Sequence, residues 1–153
     1  MVSPSLRWME TREIQVTFDC AGPAALAAFW SAALGYERQA PPPGFDTWEA
    51  ALSAFGVPES EWNSRSAAVP LEGSGPRLFF QRVPEGKVVK NRVHLDVRVG
   101  TGMVGEERLA ALEAECARLI PLGATRFQLL LADDENESCL VMQDVEGNEF
   151  CLD

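Results

Sequence analysis

Residues 14–35 read Ile14-Gln15-Val16-Thr17-Phe18-Asp19-Cys20-Ala21-Gly22-Pro23-Ala24-Ala25-Leu26-Ala27-Ala28-Phe29-Trp30-Ser31-Ala32-Ala33-Leu34-Gly35. From Ile14 to Cys20 the side chains alternate. Ile14, Val16, Phe18 and Cys20 share one face, and Gln15, Thr17 and Asp19 share the other, the period of a half-buried strand. Gly22-Pro23 breaks the strand, and proline suits the first turn of a helix because its missing N–H would be unpaired there anyway. The helix is expected to run to about Leu34, with Leu26, Phe29, Trp30 and Ala33 on its apolar stripe and Gly35 as its stop.

The chain then repeats this order. Pro41-Pro42-Pro43-Gly44 forces a loop, because proline has no N–H to give a helix or a central strand. A short helix follows near Thr47–Phe55, ended by Gly56. Strands are expected at Ser66–Val69 and Arg77–Val83, on either side of a Gly73-Ser74-Gly75-Pro76 turn. A second unit opens with Arg92–Val99, where Val93, Leu95, Val97 and Val99 alternate with Arg92, His94, Asp96 and Arg98. The next helix, about Val104–Leu119, spaces Leu109, Leu112, Cys116 and Leu119 three, four and three apart. Leu122-Gly123 stops it, and strands follow at about Thr125–Leu131, Ser138–Gln143 and Glu149–Leu152, the last two joined by a turn over residues 144–148. Leu34-Gly35-Tyr36-Glu37-Arg38 echoes Leu122-Gly123-Ala124-Thr125-Arg126, so the economical reading is an internal repeat of βαβββ type. Its modules span about 13–85 and 90–153. Neither would bury much core alone, so a single domain over 1–153 is expected.

Composition bounds the function. The 153 residues are 46% hydrophobic and 24% charged, which fits a compact chain with a real core. Thirteen Lys and Arg against 23 Asp and Glu give a net charge of -10, which repels phosphate backbones and anionic membrane surfaces, so neither nucleic acid nor membrane is expected as a partner. No run approaches the roughly 20 apolar residues of a membrane span, and Met1-Val2-Ser3-Pro4-Ser5-Leu6-Arg7-Trp8 lacks the apolar core of a signal peptide. A cytoplasmic protein is expected. Cys20, Cys116, Cys139 and Cys151 are scattered, with no C-x-x-C pair, and are read as reduced thiols.

The residues resemble the vicinal oxygen chelate superfamily, the glyoxalase/bleomycin-resistance/extradiol-dioxygenase group, and within it the branch of glyoxalase-like domains. The resemblance rests on the run Phe18 to Trp30, on Gly75-Pro76-Arg77-Leu78-Phe79-Phe80-Gln81-Arg82-Val83-Pro84-Glu85-Gly86-Lys87, and on Lys90-Asn91-Arg92-Val93-His94-Leu95-Asp96-Val97. Leu122 to Arg126 and Met142 to Cys151 complete it; the latter resembles the family's Asp-Pro-x-Gly-Asn turn, with Val145 where proline is usual. The resemblance implies an α+β fold of two βαβββ modules whose curved mixed sheets enclose a cavity, and a homodimer. It also implies ligand positions at Gln15, Gln81, His94 and Cys151. Relatives holding a divalent metal usually place a carboxylate where Cys151 stands.

The chemistry of these residues leaves two readings open. Gln15, Gln81 and His94 carry no negative charge, so a metal would draw its only anionic ligand from a Cys151 thiolate, a set suited to zinc or a softer ion. Without metal, the same residues form a polar lining, and no cofactor is then needed. His94, the only histidine, could act with Asp96 as a catalytic acid–base pair, or be a cavity histidine satisfied by an amide. Asp19 shares the strand parity of Gln15, and could equally be a solvated strand end. Lys87, Lys90 and Arg92 stand out in an acidic chain and could draw an anionic ligand. Trp30 and Trp48 are candidate ligand-binding walls, and Trp48 with Trp62 a candidate lid or dimer contact. Gly100-x-Gly102-x-x-Gly105 lacks the acidic residue of a dinucleotide site, and no serine sits in a nucleophile elbow. The resemblance therefore implies a small-molecule lyase or isomerase, or alternatively a non-catalytic protein that sequesters an aromatic or cationic compound.

Overall fold

The computed structural model describes residues 11–153. The segment read above for a leader lies outside them. Two sheets of four strands form the frame, with strand orders β1-β4-β3-β2 and β5-β8-β7-β6. The first joins β1 (Gln15–Cys20), β2 (Tyr36–Arg38), β3 (Arg65–Pro70) and β4 (Arg77–Arg82); the second joins β5 (Asp96–Val97), β6 (Thr125–Leu130), β7 (Cys139–Gln143) and β8 (Glu149–Leu152). In each, the first strand runs parallel to the last and the other pairings are antiparallel. The βαβββ repeat is thus realised twice, as an α+β fold with two mixed sheets.

Each module lays its helix on one face of its sheet. The helix α1 (Pro23–Leu34) begins at the expected proline and ends on Gly35, whose φ of 68° is left-handed backbone that glycine adopts freely. Its stripe of Leu26, Phe29, Trp30 and Ala33 is buried, with Leu78 and Phe80 of β4 in the same core. The short α2 (Trp48–Ala54) is capped by the Thr47 side chain, which accepts from the Ala50 N–H. The helix α3 (Gly105–Leu119) buries Leu112, Cys116 and Leu119 together with Leu140, Met142, Phe150 and Leu152. Full burial of such a side chain is worth roughly 1.5–3 kcal/mol.

Two expectations change. The alternation over Arg92–Val99 yields only the two-residue β5, because the chain bends before it: the Asn91 N–H and side-chain amide both bond to Glu149, and Val93 is 81% exposed. Conversely, β2 gave no alternation signal over three residues. It forms because β3 offers Pro70, Val69 and Ala68 as antiparallel partners, and the Tyr36 hydroxyl donates to the Pro76 carbonyl.

One continuous core joins the modules. Trp30 meets Phe150 at 5.1 Å between ring centroids, and its indole N–H donates to Asp144 at 3.0 Å. Asp144 also accepts from the Glu146 and Asn148 N–H groups and the Asn148 amide, fixing the turn before β8. The turn in turn places the Glu146 carboxylate on the Ala21 and Gly22 N–H groups at the start of α1, at 2.7 and 2.8 Å. Arg108 of α3 is buried as well, donating to the carbonyls of Gly100 and Ser138 and pairing with Asp153. A Cβ at Gly100 would come within 2.9 Å of this guanidinium, so the glycine run singled out above serves packing at that position. Asp144→Ala, which strips the acceptor from Trp30 and from the turn, is expected to cost about 3 kcal/mol in urea unfolding, since buried donors lose a charged partner. Glu146→Gln, whose partners lie nearer the surface, is expected to cost about 1 kcal/mol.

Candidate functional site

With one face of each sheet spent on the core, the other face carries the chemistry. On β1 it presents Gln15, Thr17 and Asp19, and on β4 Arg77, Phe79 and Gln81, which pair across the ladder as Gln15 with Arg77 and Asp19 with Gln81. Gln15 and Gln81 therefore sit four residues apart along the ladder, about 13 Å at the usual strand rise. Their side chains are committed separately: the Gln15 amide oxygen accepts from Arg77 at 2.6 Å, and Gln81 donates to Asp19 at 2.7 Å. The structure does not bring these two glutamines to one point.

His94 and Cys151 it does bring together, with Asp96. Asp96 opposes Cys151 in the β5–β8 register, and His94, two residues earlier, presents Nε2 at 3.3 Å from the Asp96 carboxylate. One donor atom from each of the three lies within 4.8 Å of the others. The Cys139 thiol lies near enough to Cys151 to raise its pKa. Its proximity was invisible in sequence, where 12 positions separate the two. Burial pushes the Cys151 thiol up to about 11, with Cys139 and the Asp96 charge adding to it and Lys90 opposing. All four cysteines are free.

The remaining candidates fall in three places. Trp30 is 1% exposed and has spent its N–H on Asp144, so it contributes only floor to a groove of about 270 Å³ between β1 and residues 91–95. Arg92 and Asp19 line the same groove. Lys90 is exposed, and Lys87 pairs with Glu149 at 3.1 Å. Trp48 and Trp62 are among the residues that line a cavity of about 610 Å³ between the insertion that carries α2 and the open face of the first sheet. Sequence reasoning passed over Arg77 in this cavity. Its strand parity with Gln81 was the available signal.

A pair of βαβββ modules with a cavity and a donor cluster on the open sheet faces defines the general class. The sequence profile of the glyoxalase-like domain matches residues 15–152, and the chain belongs to that family. No protein among the curated ones matches it. Solved structures share the fold. A glyoxalase/bleomycin resistance protein/dioxygenase family enzyme from Burkholderia phytofirmans PsJN superposes with a TM-score of 0.58 at 14% identity, over 90% of this chain and 94% of that one. A point mutant of the fosfomycin resistance protein FosX of Listeria monocytogenes, complexed with Mn(II) and 1S,2S-dihydroxypropylphosphonic acid, gives 0.60 at 10% identity over 94% and 90%. A glyoxalase-related enzyme from Fulvimarina pelagi gives 0.54 at 13%, over 93% and 87%. At these identities the likeness is one of fold.

The raised thiols have a consequence for stability. Cys20, pushed up to about 11 by burial and by Glu146, Asp19 and Asp144, and Cys151, also about 11, keep protons that the unfolded chain releases from its ordinary value of 9.0 upward. Their stabilising contribution is complete below about pH 9 and is lost as pH rises through about 11. Urea midpoints are expected to fall across that window, and to fall less in Cys151→Ser.

Proposed function

We propose that the chain is a metal-assisted lyase or isomerase acting on a small molecule, with His94, Asp96 and Cys151 holding a divalent ion. The observation that carries this reading is the convergence of one imidazole, one carboxylate and one thiol within 4.8 Å. As a chemical set it fits: with the thiol ionised, a nitrogen, an oxygen and a sulfur donor bring two negative charges and suit zinc better than magnesium or manganese. Such an ion, when bound, polarises a carbonyl or enediolate oxygen as a Lewis acid. Without the ion, the Asp96 carboxylate 3.3 Å from His94 Nε2 pairs with the imidazole as an acid–base couple, and a bound ion would replace that contact. Lys90 and Arg92 lend positive charge at its approach. Cys151 must give up a proton to serve as a ligand, so affinity rises with pH.

The open cavity beneath Trp48 and Trp62 favours a second reading, capture of a small molecule without chemistry. We further propose that the two modules act as one domain in the cytoplasm and that the chain pairs as a homodimer. Large apolar side chains left exposed on and beside β6, Phe127, Leu130 and Leu131, support pairing. Among the described residues no helix is long and apolar enough to cross a membrane.

Protein purified without chelators is expected to retain about one zinc per chain, and added zinc to raise its melting temperature. His94→Ala and Cys151→Ser are each expected to weaken zinc binding at least about tenfold. If zinc is neither retained nor stabilising, the metal reading falls and capture stands. Sedimentation at twice the chain mass of 16.7 kDa checks the dimer.

A further inference from the structure

We propose that the cavity between the first sheet and the α2 insertion is a second ligand site, distinct from the His94 cluster, and that it takes a small aromatic carboxylic acid. Its volume of about 610 Å³ falls within the range of small-molecule sites. The second module has no counterpart to the insertion: where residues 39–64 join β2 to β3, only residues 131–138, without a helix, join β6 to β7.

The walls specify a flat apolar body. Trp48, Trp62 and Phe79 line the cavity. Both indoles are pinned by hydrogen bonds within the insertion and its approach, Trp48 to the Gln39 carbonyl at 2.7 Å and Trp62 to the Val57 carbonyl at 2.9 Å. Their polar edges are thus satisfied, and what remains for a ligand is aromatic surface at little entropic cost.

The charges specify an anion. Three guanidiniums, Arg38, Arg65 and Arg77, line this one cavity of a chain whose net charge is -10. Arg77 is held by neutral groups: its Nε donates to the Gln39 side chain at 2.7 Å, a terminal nitrogen donates to Gln15 at 2.6 Å, and its Cζ lies over the Phe79 ring, 5.3 Å from the centroid. Two of its five N–H groups are used, and no carboxylate neutralises it among the described residues. Arg38 and Arg65 make no ion pair among the described residues either. Among the described residues the only acidic one in the lining, Glu61, is engaged by Arg82 at 3.1 Å. An oriented, unneutralised arginine beside apolar walls is a receptor for a planar carboxylate. Aromatic cations are repelled, and an inorganic anion would leave the aromatic walls unused.

The probes are 2-naphthoate, its neutral amide 2-naphthamide, and benzyltrimethylammonium, titrated by calorimetry. Naphthoate is expected to bind one per chain with Kd below about 1 mM, and the amide and the cation at least about tenfold more weakly, since each lacks the charge-assisted bond to arginine. Arg77→Gln is expected to weaken naphthoate by the same factor while changing amide binding less than about twofold, a split that misfolding would not produce. Trp48→Leu, which keeps the charge, weakens acid and amide alike. His94→Ala leaves naphthoate affinity unchanged, which keeps this site separate from the proposed metal site. Equal binding of acid and amide, preference for the cation, indifference to Arg77→Gln, or loss of naphthoate in His94→Ala would each overturn the proposal.

Discussion

The hydrogen bond from the Trp30 indole to Asp144 locks the two modules together and sets the geometry of everything built around them. Both partners are buried, at 1% and 3% exposure, and come from different modules. An aspartate there would be costly if unpaired. It is instead saturated by the indole, by two backbone N–H groups and by the Asn148 amide. The turn so formed sets the Glu146 carboxylate against the start of α1 and leads into β8. One polar contact therefore fixes the angle between the halves and the entry of the strand that carries Cys151. Around it, Phe18, Phe29, Trp30, Phe80 and Phe150 supply the apolar surface that makes the junction stable.

Because the core consumes one face of each sheet, function is confined to the other. Polar residues at strand parity accordingly divide into two groups. Gln15, Asp19, Arg77 and Gln81 form a ladder of amide, carboxylate and guanidinium on the first sheet, and His94, Asp96 and Cys151 gather on the second. The two groups face different chemistry. The second holds the donors suited to a metal, and beside the first lies the cavity whose arginines have no acidic partner among the described residues. The acidity of the whole chain says little about either, since local charge around a cavity is set by a few side chains.

Much of the frame was readable from residues alone. The strand at 15–20, the helix from Pro23 to Leu34 and the strand at 149–152 follow from period-two and period-three-to-four patterning with glycine and proline as punctuation. Patterning failed at β5, where the chain leaves the sheet despite perfect alternation, and at β2, which is too short to alternate. In both places pairing partners decide. The candidate residues were legible as types and as strand parity. Distances were not: the family resemblance put Gln15 and Gln81 in one ligand set, and the parallel β1–β4 register sets them far apart along the ladder.

Side-chain periodicity is a local property of the backbone, and it was enough to reveal the βαβββ repeat and the polar residues on each sheet's open face, while the family was legible as a resemblance over particular motifs. Which of those residues meet is a different matter, settled by the packed molecule. Asp96 reaches Cys151 through a parallel pairing closed across more than 50 residues, and Arg77 faces the cavity beneath Trp48 through an insertion folded over the sheet. Both depend on strand register and long-range packing, which local patterning does not encode.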